Sequence, residues 1–208
     1  MANTYLPGVP FLIRVDGLDS FGNINKLPWD EVAHLSVVEG DATLSKSTVD
    51  LAHGRGSAMV VLTGSGDVTL GVEFKGEMSL HPVTSVEGAE RLSVGGTLSE
   101  DVTEWSGIVE VTETLTIGAG QLLRILPGTW VLVEGDQAQS DIGVDLGGRR
   151  SIKKILGDAD NPVSITTADP AQGWGELLFI DGQPSRIEHA LITRGGLGPP
   201  IFHARAAP

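Results

Sequence analysis

The chain has 208 residues, 27 of them acidic and 14 basic, for a formal charge of −13, and it contains no cysteine. That charge repels a phosphate backbone and argues against a nucleic-acid partner, while the missing thiols exclude a disulfide framework and thiolate chemistry. An apolar fraction of 40% is enough for a packed core, yet no run approaches the ~20 apolar residues of a membrane-spanning helix, so a membrane-embedded chain is not expected.

From the start, Met1-Ala-Asn-Thr carries no basic segment followed by an apolar stretch, so no signal peptide is expected in this chain. Phe11–Val15, Ser57–Leu62 and Asp67–Phe74 then alternate apolar with polar residues, and Val68, Leu70, Val72 and Phe74 share one face. Period-2 runs of this kind read as half-buried strands. Turn signals fall at Gly22-Asn23, Glu39-Gly40-Asp41, His53-Gly54 and Gly64-Ser65-Gly66, a spacing suited to an all-β architecture. Between Pro82 and Gly96 the texture changes. Short apolar triplets follow, such as Thr114–Ile117, Leu122–Ile125, Val131–Val133 and Val163–Thr166, separated by glycine-rich corners. Such triplets suit a parallel β-helix, in which each coil bends several times and stacks on the next. The expectation is therefore an all-β chain: a sandwich over 1–88, then a short parallel β-helix over 89–208 that stops short of its full length.

Two resemblances refine this. Asp19-Ser-Phe-Gly-Asn23, Ala33–Val37, Glu39–Leu44, Gly56–Leu62 and Gly66–Leu70 together resemble a bacterial immunoglobulin-like repeat of the invasin/intimin type, over about residues 8–80. In that arrangement Leu35, Val37 and Leu44 would face Met59, Val61, Leu70 and Val72. The segment Asn25–Asp30 departs from the family by carrying Trp29. Gly96–Gly107, Leu115–Gly120, Pro127–Val133, Gly157–Thr166, Gly173–Phe179 and Ser185–Ile192 in turn resemble a right-handed parallel β-helix of the pectate-lyase-like class, over about 96–196. Here Gln121–Arg124 reads as an insertion within a coil, and Arg149–Lys154 as an unusually basic stretch. The resemblances imply a bacterial protein working outside the cell or at its surface.

Chemistry is less legible. None of His34, His53, His81, His189 and His203 forms a metal-ligand pair in sequence, and no nucleophile elbow is present. Lyases of the resembled class use aspartates, calcium and a basic residue. The resemblance therefore marks Asp141, Asp145, Asp158 and Asp160, with Arg149, Arg150, Lys153 and Lys154, as catalytic candidates for proton abstraction from an acidic sugar. The same Asp158-Ala-Asp-Asn stretch also reads as an ordinary corner, and the basic residues as a solvated face. Asp16, Asp19, Asn23 and Asn25 form a second oxygen-rich group, readable as a calcium site or as turn-forming side chains. Trp29 is the candidate for ligand contact.

The expected function is a non-catalytic structural or adhesion-type module, extracellular or at the cell surface, belonging to a larger protein and contacting a protein or a polysaccharide. The competing class is a carbohydrate-active enzyme or polysaccharide-binding fragment using the β-helix flank, with calcium as its ion. No amphipathic helix follows Ile192 to cover the end of the β-helix, so a homodimer through that open end is also expected.

Overall fold

The structure, a computed structural model, describes residues 3–27, 29–117, 121–134, 144–145, 152–167, 169, 171–175, 177–178 and 186–195. No described residue is helical, and strands dominate both of two compact units, Met1–Gly88 and Ala89–Pro208. The all-β expectation is met.

The first unit contains β1 (Thr4–Tyr5), β2 (Phe11–Asp16), β3 (Trp29–Leu44), β4 (Thr48–Ala52), β5 (Arg55–Val60), β6 (Leu62–Phe74) and β7 (Glu77–Ser85). They form one path, β1-β7-β6-β3-β4-β5-β2, antiparallel throughout except for the parallel pair β1–β7. Strand β3 is the pivot: Trp29–His34 pair with β4, and His34–Leu44 pair with β6. The two outermost strands of the path bring the buried rings of Tyr5 and Phe11 to 6.4 Å between centroids, and a Cβ on Gly17 would already touch the Phe74 ring at 3.4 Å.

Two expectations change here. Gly40 and Gly64 do not end strands; β3 and β6 run straight through them with shifts of register. Gly40 and Gly66, with φ of 98° and 75°, fall where the register shifts and mark a bulge where the long strands bend, whereas Gly64 stays in regular register opposite Ala42, and a Cβ on it would lie 2.1 Å from the Asp41 carbonyl oxygen. In β5 and its exit the buried side chains are Ala58, Val60 and Leu62, while Met59 and Val61 are only half-buried. The continuous run Met59-Val60-Val61-Leu62 carries no alternation, so the face could not be read from it, and a slip of one residue exchanges the two faces.

The second unit contains β8 (Arg91–Thr97), β9 (Val102–Trp105), β10 (Ile108–Thr116), β11 (Leu122–Ile125), β12 (Trp130–Val133), β13 (Val144–Asp145), β14 (Ile152–Leu156), β15 (Val163–Thr166), β16 (Leu177–Leu178), β17 (Arg186–Glu188) and β18 (Ala190–Ile192). Every pairing among them is parallel. One ladder runs β16-β13-β10-β12-β15-β18, with β8 also on β10; the other runs β17-β14-β11-β9. Three residues of Gln121–Arg124 belong to β11, which pairs with β9 on one side and β14 on the other.

The registers align interior columns. Leu92, Val109, Val131, Ile165 and Ile192 stand opposite one another in turn, as do Trp105, Ile125, Ile155 and Ile187. The middle members are buried, whereas Leu92 and Ile192 at the two ends are 43% and 39% exposed and Ile187 is 45% exposed. Corners seal the columns from the side. Thr129, fully buried, has its hydroxyl 2.6 Å from the Leu126 carbonyl oxygen and 3.2 Å from that of Trp105. Trp174, also buried, donates its backbone N–H to the Arg194 carbonyl and its indole N–H to that of Thr193.

Candidate functional site

In the second unit the best-defined candidate is Asp158, in the corner between β14 and β15. Its Oδ1 accepts the backbone N–H groups of Asn161 at 2.6 Å and Asp160 at 3.0 Å, and the Asn161 side-chain amide lies 3.3 Å away. The Asn161 carbonyl in turn accepts the N–H of Gly128, between β11 and β12, at 3.0 Å. These donors favour the ionised carboxylate, and the Asn161 backbone N–H is the main reason its pKa lies below the usual carboxylate value, with the other amide donors and nearby His189 adding to it. Asp160 beside it is exposed. A carboxylate held ionised by turn amides acts as a cap for the corner.

The remaining members of that candidate set are spread over different elements. Asp145 lies on β13, opposite Thr116 and Leu178 in the first ladder, whereas Lys153 and Lys154 lie on β14 in the second. For Asp145 and Lys153 only the backbone is described, and Asp141, Arg149 and Arg150 lie outside the described residues. His189 takes φ 43° at a corner, where its carbonyl accepts the Val163 N–H.

The oxygen-rich group of the first unit is similarly engaged. Asp16 is paired with Arg14 at 2.9 Å and with Arg55 at 3.5 Å. Asp19 Oδ1 accepts the N–H groups of Phe21 and Asn23, both at 2.9 Å, and Asn25 Oδ1 accepts that of Leu27 at 3.1 Å. Two guanidinium groups already occupy the Asp16 carboxylate, where a cation would have to displace them. Among the described residues no three His, Asp or Glu side chains come together in a way that could hold a metal. Trp29 enters β3 opposite Ala52, and its side chain lies outside what the structure describes. A shallow depression of about 210 Å³ follows it, lined by Asp30, Glu31, Val32, Asp50, Leu51 and Ala52.

One arrangement was not foreseen from sequence. Glu104, Arg124, Lys154 and Arg186 share a register position on β9, β11, β14 and β17. Arg124 pairs with Glu104, and Arg186 with Glu188 at 2.5 Å. Their separations of 20, 30 and 32 residues follow no fixed period, so the column cannot be found by spacing.

Comparison with protein-family models, with curated proteins and with solved structures gives no match for this chain.

Proposed function

We propose that the chain is a non-catalytic structural or adhesion-type module of a larger secreted or surface protein, with an immunoglobulin-like sandwich followed by a short right-handed parallel β-helix. The observation that carries this reading is the pair of interior columns in the second unit. Parallel strands stack a continuous apolar interior along one axis, a build suited to a stiff spacer. The sheet of the first unit, whose outermost strands meet through Tyr5 and Phe11, supports a sandwich. Asp16, Asp19, Asn25 and Asp158 are committed to ion pairs and turns, which fits a scaffold role. Exposed Ile187 and Ile192 offer a surface on which a further coil, or the same end of a second copy, can stack.

A second reading has one observation in its favour. Arg124, Lys154 and Arg186 on successive coils would suit an acidic polysaccharide bound by a carbohydrate-active enzyme or a binding fragment. One experiment separates the two: incubate the chain with polygalacturonate and with alginate, with and without calcium, and follow both retention of the polymer and release of unsaturated products. A structural module gives neither. Retention without products supports a binding fragment, and calcium-dependent product release overturns the non-catalytic reading.

A further inference from the structure

The outer edge of β7 has the geometry of a self-pairing strand. Lys75 and Gly76 form the two-residue turn between β6 and β7, with φ of 54° and 82°, and Phe74 pairs with Glu77 across it. In such a hairpin the closing pair is hydrogen-bonded and the bonded pairs then alternate. Glu77, Ser79, His81 and Val83 therefore direct their backbone groups to β6, while Met78, Leu80 and Pro82 direct theirs away from it. The bonds farther along β7 obey the same alternation: Thr84 and Val86 donate outward to the carbonyls of Asn3 and Tyr5. Short of Thr84, no described strand pairs with this edge. Met78 and Leu80 are each 55% exposed, and they share the outer face with Val38, since a Cβ on Gly71 would lie 2.7 Å from Val38 Cγ2 and 3.5 Å from Met78 Sδ.

The geometry points to a second copy of this chain as the occupant, paired antiparallel β7 to β7 about a twofold axis at Ser79. That register places Met78 opposite Leu80 of the partner subunit and Leu80 opposite the partner's Met78, so both outward N–H groups and both outward carbonyls find partners. It places Glu77 opposite the partner's His81 on the other face, an acidic residue against a basic one. The segment Glu77-Met-Ser-Leu-His81 is thus complementary to itself in polarity and charge, as an isologous contact requires. The register also limits itself. Pro82, which has no N–H to give, falls opposite Gly76 in the partner's turn, and beyond it β1 already occupies the edge. With so few residues a side, the contact belongs to the small, weak class of interfaces.

Sedimentation velocity over about 10 µM to about 1 mM tests this on the whole chain. The wild type is expected to shift from monomer to dimer with concentration. Leu80→Lys, a charge on an open edge, and Leu80→Pro, which removes an outward N–H that β6 does not use, are both expected to abolish the shift. Far-UV circular dichroism and the unfolding midpoint establish that each variant folds. Ile187→Lys combined with Ile192→Lys is expected to leave it intact, which separates this contact from end-to-end stacking of the second unit. A wild type that stays monomeric, a dimer that survives in a folded Leu80 variant, or one lost only in the Ile187/Ile192 variant overturns the proposal.

Discussion

The indole N–H of Trp174 donates to the Thr193 carbonyl oxygen at 2.7 Å, tying the segment after β15 to the exit of β18. A Cβ on Gly195 would lie 2.9 Å from the same ring, so ring and chain are fitted to each other. Trp174→Phe should lower stability by about 1–3 kcal/mol, because a half-buried carbonyl loses its donor. Trp174→Ala should lower it by about 3–5 kcal/mol, because a cavity is added. Denaturant unfolding of both variants checks the order; equal midpoints in the two would show that the ring adds nothing to stability beyond its hydrogen bond.

Trp105 provides the contrast. It is as deeply buried, but its Nε1 finds no partner among the described residues. An unpaired buried donor is a standing penalty, so Trp105→Phe should change stability by less than about 1 kcal/mol despite the smaller ring. A loss as large as that of Trp174→Phe would show that this N–H has a partner in solution.

Gly54 and Gly76 separate backbone strain from collision. Both have positive φ, 72° and 82°, but a Cβ on Gly54 would fall 1.9 Å from the Asn25 carbonyl oxygen, whereas one on Gly76 meets nothing within 4 Å. Gly76→Ala should cost about 1–2 kcal/mol, the penalty of a left-handed residue. Gly54→Ala should cost clearly more, since the loop carrying Asn25 must also move. Thermal midpoints of the two variants compare them directly, and equal losses would sink the collision explanation.

Asp158 links the second unit to pH. Its pKa is depressed, first by the Asn161 backbone N–H. Such a group contributes stability above its unfolded value of about 3.9 and loses that contribution as pH falls through the folded value. Asp158→Asn should therefore unfold more readily than the wild type at neutral pH, and the difference should vanish in acid below the folded value. A difference independent of pH would mean that the charge plays no role in the corner.

The sequence is most legible where one strand face meets the core and the other meets solvent. Val68, Leu70 and Val72 alternate, and all three are buried. Legibility fails in continuous apolar runs: Met59-Val60-Val61-Leu62 conceals which residues point inward, and the structure selects Val60 and Leu62. Gly40 and Gly66 read as turns because a bulge needs the same backbone freedom as a turn; only the partner strand tells them apart. In the second unit the triplets are visible, but separations of 20, 30 and 32 residues between paired positions hide which triplet pairs with which. The column of Glu104, Arg124, Lys154 and Arg186 was hidden for that reason. Asp158 and Asn161 were legible as a corner, because turn chemistry is local.

The parallel pairing of β1 with β7 has a mechanical consequence. Thr84 and Val86 donate to the carbonyls of Asn3 and Tyr5, 2.8 and 2.9 Å away, and the two strands run in the same direction although they lie near opposite ends of the first unit's sequence. Tension applied through the two ends of that unit pulls β1 backward and β7 forward along their common axis. It loads these bonds in shear, together, where an antiparallel hairpin pulled at its open end would unzip, its bonds breaking in succession. In single-molecule stretching the first unit should resist as a block and give way in one step; Thr84→Pro, which removes one of the two donors, should lower the force at which it yields.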